Sequence, residues 1–213
     1  MILYIMSNRP SLLRDRRFLP MFLTQFLGAL NDNVYKQALL LVITYGLIAQ
    51  QSAQISTLNN LAALLFILPY FIFSATAGQI ADKYERAQLV RYLKGAEIVI
   101  MLLGTAGFLL GNLWLLLLAL FLMGTQSTFF GPIKYAILPE VLKSDELMSG
   151  NALFQSGTSI AILVGMILGG SMIALSDGNL MWVSGTVLCL ASLGYLERRF
   201  ILKQNIPSAV LTS

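Results

Sequence analysis

The sequence predicts an all-α membrane protein with six transmembrane helices, and two observations lead to this class. The 213 residues are 57% hydrophobic and 11% charged, with a mean hydropathy of +0.75, which is far more apolar than a soluble domain of this size. The apolar residues also fall into six segments of about 20 residues or more, the length of helix that crosses a hydrocarbon core about 30 Å thick.

The six apolar segments show no alternation of apolar and polar residues, which transmembrane strands would require, so each is predicted to be a helix. In the second segment Pro69 predicts a kink, and in the fifth Gly165 and Gly169 form a GxxxG pattern that favours close packing against another helix. The sixth segment contains the one cysteine, Cys189, which we expect to be a small buried packing residue. The predicted spans are 18–48, 57–81, 93–110, 113–133, 150–175 and 180–200.

Lysine and arginine are distributed unevenly between the connections. They occur before the first span, between the second and third, after the fourth and after the sixth, whereas the other three connections contain none. Because basic residues accumulate on the cytoplasmic side, this asymmetry places both termini in the cytoplasm. We therefore predict a cytoplasmic tail over 1–17 and a six-helix bundle over 18–203.

The composition also argues against several function classes. The chain has no histidine, which excludes Ser-His-Asp and Cys-His nucleophilic sites and HExxH metal sites, and no P-loop motif occurs. With short connections there is no room for a soluble catalytic domain. The net charge of +4 follows the membrane topology rather than forming a nucleic-acid-binding surface. No enzymatic activity, cofactor, metal or nucleic-acid partner is expected.

The first span carries a row of polar side chains within an apolar segment. Asp32 lies about 21 Å from the start of the span, near the membrane midplane, and Lys36 follows one turn later on the same face. Charged groups at this depth indicate a functional site by default. Asp32 and Lys36 could instead form a self-neutralising structural pair. A cavity wall or gate is favoured because Gln25, Asn31 and Asn33 accompany them.

If these residues line a cavity, Lys36 suits an anionic phosphate, and Asp32 suits a cationic group or a conformational latch. Glu97, in the third span, is a second acid, and the favoured interpretation is that it faces interfacial water. In the fourth span, GPIKYAILPE contains Pro132 and Pro139, which we interpret as a helix end. Lys134, between these prolines, could contact lipid head groups.

The connection between the second and third spans contains acidic and basic residues close to two helix ends. Such an arrangement can clamp neighbouring helices and release them, or it can be a solvated charge cluster, and physical reasoning does not separate these alternatives. At these residues the chain resembles the major facilitator superfamily, whose loop motif is matched by Gly78, Asp82, Lys83 and Arg86. Glu85 departs from that motif, and so does Ala87.

A more specific resemblance is to the lysophospholipid transporter branch of this superfamily. It rests on TQFLGALNDNVYK (24–36), GPIKYAILPE (131–140) and the helix over 151–170, and it covers nearly all of 18–200. The resemblance implies movement of lysophospholipid, chiefly lysophosphatidylethanolamine, from the outer to the inner leaflet of the bacterial inner membrane by alternating access. It adds Lys134 and Tyr135 to the candidate substrate-binding or gating residues.

The resemblance also implies partners. Superfamily members have two six-helix halves, so these six helices are expected to form one half of the fold and to work with a C-terminal half or a second copy. Residues 204–213 resemble the start of a central linker. Some relatives are fused to acyltransferase and acyl carrier protein synthetase domains, which makes an acyltransferase a candidate partner. Two alternatives are a proton-coupled exporter of amphipathic compounds and a membrane anchor for a fused acyltransferase.

Overall fold

A computed structural model describes residues 12–46, 55–176 and 179–201, and these residues form an all-helical bundle. A short 3-10 helix, Leu12–Arg14, precedes six long helices. Most of the predicted tail and the predicted linker over 204–213 lie outside the described residues. The long helices are α1 (Leu19–Thr44), α2 (Ile55–Lys83), α3 (Arg86–Leu109), α4 (Leu113–Val141), α5 (Leu147–Leu175) and α6 (Leu180–Ile201).

Five of the six helices in the described part of the chain, α2 to α6, are long and apolar enough to cross a membrane. The remaining helix, α1, is long enough, with 26 residues, but does not reach the same apolarity. The reason is the row of polar side chains predicted from the sequence, from Asn31 to Lys36. These residues are buried or half-buried inside the bundle, so neighbouring helices rather than lipid surround them.

The helix packing repeats after three helices. Extensive contacts join α1 to α5 and α6, and equivalent contacts join α4 to α2 and α3, while α3 also packs on α6. Exchanging α1–α3 for α4–α6 therefore leaves the pattern of neighbours unchanged, which is the arrangement of an internal repeat. The two three-helix units are α1–α3 and α4–α6. In each unit the first helix makes the most contacts, so α1 and α4 lie on either side of the interior.

Glycines bring the central helices unusually close to their neighbours. A Cβ atom at Gly169 of α5 would lie 2.5 Å from the Val34 carbonyl oxygen of α1, and one at Gly165 would lie 2.7 Å from the Leu30 carbonyl oxygen. Gly124 of α4 meets the Phe66 backbone of α2 in the same manner. The predicted packing role of the GxxxG glycines is confirmed, because no larger residue fits between these backbones.

The apolar core consists of two clusters at opposite ends of the bundle. One contains the later part of α1 and the early part of α4, including Leu39 and Leu116. The other contains the start of α1 and the later part of α4, including Met21 and Ile133. Buried polar side chains, Asn31 and Gln126 among them, occupy the layer between the clusters. The interior is thus apolar at both ends and polar in the middle.

The helix boundaries agree with the predicted spans except at the start of α3, after the α2–α3 connection, and at the end of α4, near Pro132 and Pro139. Helix α3 starts at Arg86 and not at residue 93, and α4 continues to Val141, past Pro132. The interpretation of Pro132 as a helix end is therefore wrong, whereas Pro139 does lie in the last turn. A membrane helix tolerates proline because side chains and neighbouring helices satisfy the carbonyl that loses its hydrogen bond.

Two of the three residues that connect α3 to α4 have distinct roles. Gly111 has a φ of 62°, a left-handed conformation that glycine adopts without steric cost. The Asn112 side-chain oxygen accepts hydrogen bonds from the backbone amides of Trp114 and Leu115, at 3.0 and 3.2 Å, and so caps α4. These two residues reverse the chain without any basic side chain.

Cys189 is exposed on the outer face of α6. The prediction that it is a buried packing residue is therefore wrong. The α6 residues that pack inward are its neighbours Val187 and Ala191, both fully buried. In a helix, residues two positions apart point in directions about 200° apart, so Cys189 is turned away from the core.

We predict that Gly169→Ala destabilises the bundle by about 1–3 kcal/mol, because the added methyl group would collide with the α1 backbone. Gly185→Ala is the matched control, since a Cβ atom at this α6 position meets no atom within 4 Å. The control is expected to be neutral or to gain up to about 1 kcal/mol from higher helix propensity. Thermal unfolding in detergent measures both, and equal stability of the two variants would contradict the close packing of α1 and α5.

Candidate functional site: a polar cavity in the helix bundle

A cavity of about 220 Å³ lies in the polar middle layer of the bundle. Helices α1 to α5 all contribute to its wall, and α1 contributes the most residues. Apolar groups, among them Phe66 and Ile162, form part of the lining together with the polar groups. The polar and charged side chains of the lining are Thr24, Gln25, Asp32, Asn33, Lys36, Tyr70, Lys94, Gln126, Ser127, Lys134 and Thr158.

Asp32 and Lys36 both reach this cavity, but each interacts with a different helix. The Ser127 hydroxyl of α4 donates a hydrogen bond to the Asp32 carboxylate at 2.8 Å. The Lys36 ammonium lies 4.2 Å from the ring centroid of Phe66 on α2, within the range of a cation–π interaction. Among the ion pairs of the described residues, none joins Asp32 to Lys36 within 4.0 Å. The two side chains therefore form no direct salt bridge, although their charges still interact through space.

Two of the amides predicted to accompany Asp32 are also in the cavity wall. The Gln25 side chain donates to the Thr158 hydroxyl at 3.1 Å, which links α1 to α5. The Asn33 amide donates to the Ala29 carbonyl of its own helix at 2.7 Å. Together with Asp32 and Lys36 they form one polar face of α1 that opens toward the cavity.

The remaining predicted residues divide between the cavity and other positions. Lys134 lines the cavity, whereas Tyr135 points outward with 49% of its surface exposed. The Lys134 ammonium lies 5.0 Å from the Tyr135 ring centroid, so the two side chains remain neighbours. Asn31 is fully buried and lies outside the cavity lining. The structure thus brings five of the seven predicted residues to the cavity: Gln25, Asp32, Asn33, Lys36 and Lys134.

The sequence interpretation missed a buried ion pair beside the cavity. The Lys94 ammonium lies 2.6 Å from the Glu97 carboxylate, and these side chains are only 2% and 3% exposed. Asn31 and Gln126 each direct a side-chain amide at Glu97, at 3.5 Å. The expectation that Glu97 faces interfacial water is wrong. The signal in the sequence was a Lys and a Glu three residues apart on one apolar helix.

Glycine makes room for this ion pair. A Cβ atom at Gly28 of α1 would lie 2.8 Å from the Lys94 ammonium nitrogen, closer than ordinary contacts allow. The ring centroid of Phe130 lies 5.5 Å from the same nitrogen. Lys94 is therefore enclosed by α1 and α4, and its ammonium reaches the cavity edge, whereas Glu97 lies outside the lining.

The chemistry of this site suits an anion better than a metal ion. Three lysines and one carboxylate line the cavity, and Glu97 lies behind it. Within the described ranges, no group of three or more His, Cys, Asp or Glu side chains is arranged to hold a metal. Lysine offers a point charge and three donors to phosphate or carboxylate oxygens.

Comparison with known proteins identifies the family. The model of the Major Facilitator Superfamily matches residues 21–209, which is most of the chain. The chain belongs to the Major Facilitator Superfamily. Its apolar helices and this membership make it a multi-pass membrane protein.

Curated relatives confirm the more specific resemblance within the superfamily. The chain is 28% identical to the lysophospholipid transporter LplT of Cronobacter sakazakii, over 85% of this chain and 41% of the relative. It is 25% identical to the proteins of that name from Yersinia pestis and Yersinia pseudotuberculosis, over 92% of this chain and 44% of each relative. The chain thus spans less than half of the length of these relatives. No solved structure matches it.

The residues of the superfamily loop motif differ in whether they contact a neighbouring helix. Arg86 forms an ion pair with Glu140 at the end of α4, so it ties the start of α3 to that helix. Asp82 and Lys83 are exposed, with the Lys83 ammonium 5.6 Å from the Tyr84 ring centroid. A Cβ atom at Gly78 would meet nothing within 4 Å. Of the four predicted clamp residues, Arg86 is the one whose side chain is seen to connect two helices.

We predict that Lys94→Met costs about 3–5 kcal/mol of stability, because it leaves the Glu97 charge buried without a counter-ion. Glu97→Gln is expected to cost less, since Lys94 is part of the cavity wall whereas Glu97 lies behind it. The double variant Lys94→Met/Glu97→Gln should recover most of the loss. Thermal unfolding of the four proteins in detergent measures this cycle, and additive effects of the single substitutions would contradict the pairing.

Proposed function

We propose that the protein is a secondary transporter that moves lysophospholipid, chiefly lysophosphatidylethanolamine, from the outer to the inner leaflet of the bacterial inner membrane. The observation that carries this proposal is a small polar cavity with lysines and one carboxylate inside an otherwise apolar helix bundle. A lysophospholipid has the matching division, since its head group is charged and its acyl chain is apolar. The naming of the relatives as lysophospholipid transporters supports the same substrate class.

In this proposal different cavity residues bind different parts of the head group. Lys36 and Lys134 attract the phosphate, and Asp32 attracts the ethanolamine ammonium. Gln25 and Asn33 offer amide groups beside them. The acyl chain remains on apolar helix surface, which the exposed side chains of α2 and α5 provide. Because few charges need to be desolvated, a lipid fits this cavity better than a highly polar solute.

Alternating access requires a second wall that moves against this bundle. We propose that another six-helix bundle, either a C-terminal half or a second copy, supplies it. The Arg86–Glu140 ion pair, at the α4 end nearest the charged loop, is then suited to stabilise one of the two states. An associated acyltransferase would use the lysophospholipid that arrives in the inner leaflet, and the protein itself carries out transport and no catalysis.

The proposed orientation has both termini in the cytoplasm. Tyr84, in the α2–α3 connection, lies among basic residues, and Asn112, in the α3–α4 connection, does not. In a Cys189→Ser background, Tyr84→Cys should resist a membrane-impermeant thiol reagent in intact spheroplasts and react after lysis. Asn112→Cys should react in both preparations. Both side chains are exposed, so the opposite pattern would invert the topology.

The transport proposal predicts loss of function when the cavity charges are removed. Asp32→Asn, Lys36→Met and Lys134→Met should each lower inward movement of labelled lysophosphatidylethanolamine by about tenfold or more, since one charge contact with the head group is worth roughly 1.5–3 kcal/mol. The measurement uses the natural gene product in spheroplasts that lack their own transporter. Tyr135→Phe is the control, because this side chain points away from the cavity.

The same experiment separates the proposal from its two alternatives. Absence of lysophospholipid movement by the wild-type protein would reject the proposed substrate. A rate for an amphipathic cation that depends on pH and loses this dependence in Asp32→Asn would favour a proton-coupled exporter. Lysophospholipid movement that persists without any acyltransferase would reject a role as an anchor alone.

A further inference from the structure

The Lys94–Glu97 ion pair has no part in the head-group contacts proposed above, and its two members differ in where they face. Lys94 belongs to the cavity lining, whereas Glu97 lies behind it, covered by the amides of Asn31 and Gln126. The two groups touch at 2.6 Å. Glu97 can therefore influence a ligand in the cavity in two ways: by its electrostatic field, and by neutralising its ion-pair partner Lys94.

The charge count of the cavity depends on Glu97. Its lining carries two net positive charges, because Lys36, Lys94 and Lys134 face the one carboxylate of Asp32. With Glu97 included, the site has one net positive charge. Glu97 therefore neutralises Lys94 and leaves Lys36 and Lys134 as the effective cations.

We infer that Glu97 sets the head-group selectivity of this cavity by masking the charge of Lys94. The inference rests on the proposed function, in which a lysophospholipid head group enters the cavity. A phosphoethanolamine head group has no net charge, whereas a phosphoglycerol head group carries one negative charge. Each added positive charge in a site poorly screened by water favours the acidic head group over the zwitterionic one.

The surroundings of Lys94 support this function for the pair. Gly28 leaves space for the ammonium at the cavity edge, and Phe130 covers it from α4. The ammonium is thus held almost fully buried in the cavity wall, and its nearest partner is the Glu97 carboxylate. Removing the carboxylate leaves the positive charge of Lys94 uncompensated beside the cavity.

The test measures binding of two lipids to the purified natural gene product in detergent. The ratio of the dissociation constants of lysophosphatidylethanolamine and lysophosphatidylglycerol is compared between variants. Glu97→Gln should shift this ratio toward lysophosphatidylglycerol by about tenfold. The double variant Lys94→Met/Glu97→Gln should return the ratio to near the wild-type value, because both charges are then absent. A purely structural pair would change stability and leave the ratio unchanged.

Glu85→Gln is the matched control, since it removes one carboxylate from an exposed position in the α2–α3 connection. An unchanged ratio in Glu97→Gln would overturn the inference, and so would a shift that persists in the double variant. Binding of neither lipid by the wild-type protein would overturn the inference and the proposed function together. The predicted shifts in a protein that binds both lipids without moving them would support the inference and reject the transport function alone.

Discussion

The structure depends on one constraint, which is that the polar groups of α1 must be covered by protein because lipid cannot solvate them. Asp32, Lys36 and the neighbouring amides lie in the middle part of α1, away from both helix ends. Three of these groups are each accommodated by a different helix: Ser127 of α4 donates to Asp32, Phe66 of α2 contacts Lys36, and Thr158 of α5 accepts from Gln25. The polar face of α1 therefore determines which helices must surround it.

Covering a polar helix requires that its neighbours approach closely, and glycine provides the approach. Gly165 and Gly169 bring α5 onto the α1 backbone, and Gly124 brings α4 onto α2. Because these contacts place backbone against backbone, they fix the distance between helices more strictly than flexible side chains would. The cavity is the space that remains between the two apolar clusters once these contacts are made.

Much of the fold and part of the site could be predicted from the sequence. Hydropathy alone located six helices, and the polar row marked α1 as the helix that lines the interior. The sequence could not show which partner each charge has. The spacing of Asp32 and Lys36 allows a direct pair, but Ser127 lies 95 residues away along the chain and binds Asp32 instead. The spacing of residues within one helix does not reveal a hydrogen-bond partner on another helix.

The same limitation explains the errors at Glu97 and Cys189. Each lies on a helix with apolar residues on all sides in the sequence, so periodicity does not show which face turns inward. Packing decides it: Glu97 is enclosed beside Lys94, whereas Cys189 faces outward. Charged residues on an apolar helix are informative about depth, but their orientation depends on the neighbouring helices.

The proposed transport requires that the lipid head group occupies the cavity formed by α1 to α5. Thiol protection of Thr158→Cys in a Cys189→Ser background tests it most directly, because this side chain lines the cavity. We expect a hydrophilic thiol reagent to label the variant, and lysophosphatidylethanolamine, but not an equal concentration of a free fatty acid, to slow the labelling. Thr186→Cys, on the outer part of α6, should show no such head-group-dependent protection. Labelling of Thr158→Cys at the same rate with and without the lysophospholipid would contradict the account.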